Sequence, residues 1–267
     1  MSGRDFLAEI LHRKSNENAR RARHVGIRGT ASVDSDVEDR RPRALAALRR
    51  GDRDLRFITE IKFASPSAGS IRTRSPGSVE AIARSYEQGG AAAISVLADG
   101  PGFAGTPLDV RRACRAVSVP VLFKEFVLDE GQIDLARRTG ASMVLLLVRA
   151  LARPRLDAMI AAVRAQGMEP VVEAADEPEL DVALATDATI VGVNARDLRT
   201  FRVDPELAAR SMEHIPDDRI AVFMSGIRDR TDVARVRATR ADAVLVGEGL
   251  MRADDPGARL RDLRGIA

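Results

Sequence analysis

Tryptophan is missing from this 267-residue chain, tyrosine occurs once, and aromatic residues make up only 3% of it. Proteins that bind single-stranded nucleic acid stack bases on several exposed rings, and such platforms are missing here. The high isoelectric point, near 9.6, points the other way. Yet the 42 basic and 39 acidic residues are interspersed rather than blocked, and the basic side is nearly all arginine. That pattern reads as a solvated, arginine-rich surface and not as a nucleic-acid footprint. Cysteine occurs once, at Cys114, so no internal disulfide can form, in keeping with a reducing cytosol. Long apolar runs are lacking as well. The longest candidate, Met143 to Val148, is strand length, far short of the roughly 18 residues of a membrane span. The leading MSGRDFLAEILHRK is interrupted by Asp5 and Glu9 and lacks a signal pattern. The expectation is a soluble cytoplasmic protein that engages no membrane. Histidine is scarce too: His12, His24 and His214 lie away from every strand end. With Cys114 in mid-helix, no metal-ligand spacing exists. Ser65 and Ser67 have no histidine nearby, which argues against a serine nucleophile.

What is present is a rhythm. Short apolar, β-branched runs occur at 57–62, 92–97, 119–124, 142–148, 168–173, 188–193, 219–224 and 242–247. Between them lie Ala-, Arg- and Leu-rich helical stretches such as VEAIARSYEQGG and RLDAMIAAVRAQG, several ending in glycine as helix C-caps do. Strands separated by single helices imply βαβ units and a parallel sheet. Eight such units fit an α/β fold of the (β/α)8 TIM-barrel type. An open, doubly wound sheet is the alternative, disfavoured by the count of eight and by the lack of GxGxxG after the first strand. Before the barrel, 4–23 reads as an amphipathic helix and 24–40 as an irregular connection. Arg43–Arg50 reads as a second helix ended by Gly51. The expectation is one domain over 1–267, with 1–50 a helical extension and 57–267 the barrel. Met143, Met159 and Met168 read as core filler.

In such a barrel the active site lies at the C-terminal ends of the strands. Polar residues inside apolar strands gather there. Glu60 and Lys62 end the first strand, Lys124 the third and Glu173 the fifth. Asn194 follows the sixth, Ser225-Gly226 the seventh and Gly247-Glu248 the eighth. Two lysines and two carboxylates brought to one pocket permit acid–base work. The loops after the last two strands of many barrels bind phosphate through backbone N–H groups. SGIRDRTDV and GEGLMR supply the small residues Gly226, Gly247 and Gly249 that such a site needs.

These motifs, taken in order, carry a resemblance. EIKFASPSAG (60–69), VPVLFKEFVLDEGQI (119–133), GMEPVVEAADEPEL (167–180), VGVNARDLRTFRVD (191–204), SGIRDRTDV (225–233) and VLVGEGLMRADDP (244–256) together resemble indole-3-glycerol phosphate synthases. FLAEILHRKSNENARR resembles that family's N-terminal helix. The resemblance implies cyclisation of 1-(2-carboxyphenylamino)-1-deoxyribulose 5-phosphate, with loss of CO₂ and water, in tryptophan biosynthesis, without cofactor or metal. It also implies a monomer, with a weak homo-oligomer as the alternative, whose partner is that small phosphorylated substrate. By the same resemblance Lys124 is the general acid of ring closure. Lys62 holds an anionic end of the substrate and serves in dehydration. Glu60 and Glu173 stabilise the iminium and move protons. Asn194 and Arg196 position the substrate. Ser65, Phe103, Ser225, Gly226, Gly247 and Glu248 match contacts to substrate or phosphate.

The chain also departs from the family. Met224 stands where a glutamate is usual, and Ala174-Ala175-Asp176 follow Glu173 in place of Val-His-Asp. Lys124-Glu125-Phe126 replaces Lys-Asp-Phe, and the second loop reads ADGPGFAG (98–105). Two further readings rest on those departures. One is a diverged paralogue that binds a phosphorylated ligand without turnover. The other is an enzyme acting on a related anthranilate-derived substrate.

Overall fold

A computed structural model describes residues 5–25, 37–51, 54–197 and 202–266. Each of the eight apolar runs forms a strand: β1 (Arg56–Ile61), β4 (Ala93–Leu97), β5 (Val121–Lys124), β6 (Met143–Leu147), β7 (Glu169–Ala174), β8 (Ile190–Asn194), β9 (Ile220–Met224) and β10 (Ala243–Val246). Two short strands, β2 (Ala64–Ser65) and β3 (Gly69–Ser70), make an antiparallel hairpin within the first loop. The long strands are parallel neighbours in the order β1-β10-β9-β8-β7-β6-β5-β4, and β4 pairs back onto β1 with Ile58 opposite Ala93. The sheet is therefore a closed barrel, which excludes the open doubly wound alternative.

Alternation along each strand sorts the core into two layers. Ile58, Leu122, Leu145, Val171, Ile190, Val222 and Leu245 fill the barrel interior. Phe57, Val96, Phe123, Val144, Val172, Val191, Phe223 and Val244 face outward against the helices. Those helices are α3 (Ser78–Gln88), α5 (Pro107–Ala116), α6 (Glu130–Thr139), α7 (Arg153–Ala165), α8 (Glu177–Leu184), α9 (Pro205–Met212), α10 (Arg230–Arg237) and α12 (Pro256–Arg264). Single-turn helices α4 (Gly100–Phe103) and α11 (Glu248–Met251) sit in the second and eighth loops. Aspartate starts most of these helices. Asp129, Asp176, Asp204, Asp229 and Asp255 each accept a hydrogen bond from an N–H in the first turn. In α8, α9 and α12 a proline at the first or second position presets φ, so Asp-Glu-Pro and Asp-Pro act as start signals.

The extension grips both ends of the barrel. Helix α2 (Arg41–Leu48) closes the N-terminal end, inserting Ala44 and Leu48 into the interior cluster. There Arg49 donates to the Asp217 and Asp218 carbonyls and Arg56 donates to the Ala47 carbonyl. Helix α1 (Phe6–Val25) lies instead at the C-terminal rim, where its side chains reach Asp99 and Glu125, just past β4 and β5. Sequence reading placed α2 two residues later; Pro42 in its first turn sets the observed start. Most of the connection expected over 24–40 lies outside the described residues.

Candidate active site

The polar residues that interrupt the strands meet at the C-terminal mouth. Glu60, Lys62, Ser65, Phe103, Lys124, Glu173, Asn194, Arg196, Ser225 and Glu248 all line a single cavity. An adjoining cleft shares Lys62, Arg196, Ser225 and Glu248 and adds Gly226 and Gly247. All twelve residues expected at the site therefore converge on the mouth.

Two lysine–carboxylate pairs organise the cavity. On one side the Lys62 ammonium is 3.1 Å from Glu60 Oε1, while Ser95 donates to Glu60 Oε2 at 3.3 Å. Tyr86, fully buried behind the strand, donates to the Glu60 carbonyl and fixes the end of β1. On the other side Lys124 Nζ donates to Glu173 Oε2 at 2.7 Å. Asn194 Nδ2 donates to Glu173 Oε1 at 2.8 Å, so both oxygens of this buried carboxylate are engaged. The Asn194 carbonyl oxygen accepts from the Arg196 N–H, which ties the loop after β8 to the same network. Buried charges are stable when paired and further hydrogen-bonded, and both carboxylates meet that condition.

Between the pairs the floor and one wall are apolar: Leu97, Phe126, Leu145, Leu147, Met224 and Leu245. Apart from Met224, singled out at a position where the resemblance expects a glutamate, sequence reading did not assign these residues to the site, since an apolar residue at a strand end carries no signal separating pocket wall from core. Glycine makes room at two places. A Cβ at Gly247 would lie 2.9 Å from Glu60 Oε1, and one at Gly192 would lie 2.4 Å from Met224 Cε. Met224, where the resemblance expects a glutamate, thus lays its thioether over Gly192. The mouth also holds unusual backbone. Ser225 and Ala104 are the two non-glycine residues with positive φ among the described residues, at 71° and 51°. Ser225 is followed by Gly226 at 81°, so the chain turns sharply beside the cleft.

Loops around the mouth are fastened by arginine. Arg149, after β6, donates to Glu179 at 2.6 Å, Asp197 at 3.1 Å and Asp176 at 3.4 Å. The single guanidinium joins the start of α8 to the loop that carries Arg196. Burial pushes the Glu179 carboxyl upward against the pull of Arg149. In the first loop Arg72 donates to the Met251 and Ala253 carbonyls, and Arg74 pairs with Asp109 while covering the Phe63 ring at 4.2 Å. Glu248 pairs with Arg252 one turn along. Of the residues set aside as unlikely chemistry, Ser65 and Ser67 line the cavity, whereas His12 contacts Asn16 on α1 and burial pushes the Cys114 thiol up to about 12.

A family model described as indole-3-glycerol phosphate synthase matches residues 7–263. Indole-3-glycerol phosphate synthase 2 of Streptomyces coelicolor is 47% identical over 220 residues, covering 82% of this chain and 84% of that protein. The indole-3-glycerol phosphate synthase of Leifsonia xyli is 42% identical over 262 residues, 98% of this chain and 99% of that one. Among solved structures, a tryptophan synthase α subunit from Legionella pneumophila superposes with a TM-score of 0.61 at 14% identity, over 85% of this chain and 97% of that one. At that identity the likeness shows the barrel fold alone. No helix among the described residues is long and apolar enough to cross a membrane.

Proposed function

We propose a role for each mouth residue from one premise: the chain belongs to the indole-3-glycerol phosphate synthase family. The reaction is closure of the indole ring of 1-(2-carboxyphenylamino)-1-deoxyribulose 5-phosphate, with release of CO₂ and water. One observation carries this reading. Two separate acid–carboxylate pairs, Lys124–Glu173 and Lys62–Glu60, face the same half-apolar cavity from different strands.

The substrate has an aryl end and an anionic end, and the cavity is divided in the same way. Phe103, Phe126 and the leucines suit the aryl ring. Lys62, Arg196 and the turn at Ser225-Gly226 border the cleft suited to the phosphate. In ring closure the anilino nitrogen pushes its electron pair through the ring. The ring carbon bearing the carboxylate then bonds to the ketone carbon. Lys124 gives its proton to the ketone oxygen as that oxygen becomes a hydroxyl, and Glu173 faces the iminium charge left on nitrogen. The bond to CO₂ then breaks and its electrons return to the ring, neutralising the iminium. In the last step the carbon next to nitrogen loses a proton to a carboxylate. The hydroxyl departs as water with a proton from Lys62, forming the final double bond. Asn194 holds the Glu173 carboxylate in place throughout. Binding in this geometry supplies much of the rate by positioning. We place the enzyme in tryptophan biosynthesis in the cytoplasm, acting as a monomer in a single barrel domain.

The test is direct because the chain has no tryptophan. Purified protein incubated with the substrate should develop indole fluorescence over a nearly dark background, with stoichiometric CO₂. A folded protein that leaves the substrate intact sinks the proposal.

A further inference from the structure

Lysine supplies only three of the 42 basic residues: Lys62, Lys124 and Lys14. The first two face the cavity. Lys14 lies behind it on α1, with its side chain 1% exposed. Its ammonium sits 2.8 Å from Glu17 Oε2, 3.0 Å from Asp99 Oδ1 and 3.0 Å from Glu125 Oε2. A small ammonium donates to carboxylates in three directions, whereas a planar guanidinium presents its donors in one plane.

Two of those carboxylates lead to the phenyl rings of the pocket. Asp99 caps the single turn of α4, accepting from the Gly102 N–H, and α4 ends in Phe103. Arg13 holds the same carboxylate at 2.9 Å. Glu125 follows Lys124 in sequence, and its other oxygen accepts from the Phe126 N–H at 2.8 Å. The Phe126 carbonyl accepts from Gln132 Nε2, while Gln132 Oε1 accepts from Asn18 of α1 at 2.7 Å. Both sides of the Phe126 residue are therefore held by chains of contact that end on α1. The two rings meet with centroids 6.1 Å apart and an interplanar angle of 36°.

We propose that Lys14 is a positioning residue for this reaction: from α1 it sets Phe103 and Phe126, the two rings that hold the aryl end of the substrate. The proposal rests on the function inferred above. A buried ion pair is poor support for stability on its own, because desolvation offsets its Coulomb gain; its surer use is to specify one geometry. Here the geometry specified is that of the two aromatic residues that line the cavity among the described residues. Burial, with Asp99 beside it, pushes Glu125 up to about 7 although Lys14 pulls it down. The neighbouring carboxylates hold Lys14 in its charged form.

Two variants and two probes test this. Lys14→Met removes the charge, and Lys14→Arg keeps the charge but changes its shape. Indole-3-glycerol phosphate, followed by its own fluorescence, reports both ends of the pocket; inorganic phosphate, displacing it, reports the anionic end alone. Both variants should bind the indole compound about tenfold more weakly or worse, as expected of a small misplacement of a positioning group. Their affinity for inorganic phosphate should stay at the wild-type value. If Lys14→Met does not fold, Lys14→Arg decides. Wild-type affinity for the indole compound in a folded variant overturns the proposal, and so does an equal loss for both probes, which would mark a merely structural role. Wild-type protein that binds neither probe refutes the function itself, a result distinct from either.

Discussion

Replacing Lys124 with methionine gives the sharpest test of how the site is built, because one side chain is asked to serve two purposes. As the acid of ring closure its loss should lower kcat by about 10²- to 10⁴-fold, the usual range for a positioned proton donor. As the partner of Glu173 its loss leaves a carboxylate, 3% exposed, holding only the bond from Asn194. Breaking a fully buried ion pair from one side costs roughly 3–5 kcal/mol. Lys124 is 14% exposed and faces the cavity, so water can replace part of the lost bond. The penalty is then closer to about 1–3 kcal/mol, that of a buried group left short of a partner. For a barrel of this size that lowers Tm by roughly 3–10 °C. Glu173→Gln made on the Lys124→Met background removes the uncompensated charge. The double variant should therefore recover stability over Lys124→Met while remaining inactive. Product fluorescence and thermal unfolding read the two effects separately. Wild-type turnover in Lys124→Met would refute its role as acid. An unchanged Tm, with no recovery in the double variant, would refute the view that Glu173 depends on it.

Three further outcomes follow from other parts of the mouth. Gly192→Ala would bring its methyl against Met224 Cε, the end of a flexible side chain that borders the open cavity and can turn aside, so it should cost no more than about 1 kcal/mol, and Met224→Ala should relieve most of that cost in the double variant; urea unfolding checks this, and a loss of several kcal/mol would show that Met224 is held in place. Glu125 has a folded pKa of about 7 against an ordinary 4.5, raised by burial and by Asp99 against the pull of Lys14. The folded state thus keeps a proton that the unfolded chain releases. That contribution is full below pH 4.5 and is lost as pH rises through about 7. Glu125→Gln should gain on wild type by up to ~3 kcal/mol between pH 5 and 8, and a gap that does not vary with pH defeats the reasoning. Arg149→Met should leave Asp176, Glu179 and Asp197 facing one another without a cation; these carboxylates are 16–38% exposed, so water screens them in part and the cost should be roughly 1–3 kcal/mol in unfolding free energy, with KM raised through the Arg196 loop; steady-state kinetics with an unchanged KM would separate that loop from substrate binding.

The parts of this molecule that were legible in its sequence are those whose cause is local. A β-branched run between helical stretches becomes a strand because the pleat wants those side chains. A charged residue inside such a run stands out because apolar neighbours make it costly unless it is useful, and that is how Glu60, Lys124 and Glu173 could be placed at one mouth. Boundaries shifted where a non-local contact decides them. The run at 119–124 begins as a strand only at Val121, since the Ser118 and Val119 N–H groups are taken by Glu87 of α3. The hairpin β2–β3 and the turn α4 were hidden in Ser-Pro-Ser-Ala-Gly-Ser and Gly-Pro-Gly, residues that read as loop punctuation whatever they build.

Lys14 shows where such reading must stop. In HRKSNENARR it is one charge among several on an amphipathic helix, and a solvated face is the natural interpretation of that pattern. Its partner Glu125 is 111 residues away, and no local property of either residue foretells the pair. What distinguishes Lys14 is a choice that becomes visible only against the whole chain. Arginine fills almost every other basic position, and lysine persists where a compact ammonium has to meet carboxylates in a confined space. At Lys62 and Lys124 that space is the reaction cavity. At Lys14 it is the joint between the helical extension and the aromatic wall. The same physical requirement thus runs through the two lysines proposed as acids and the residue behind them, which on this proposal makes α1 a component of the pocket and not only a cover on the barrel.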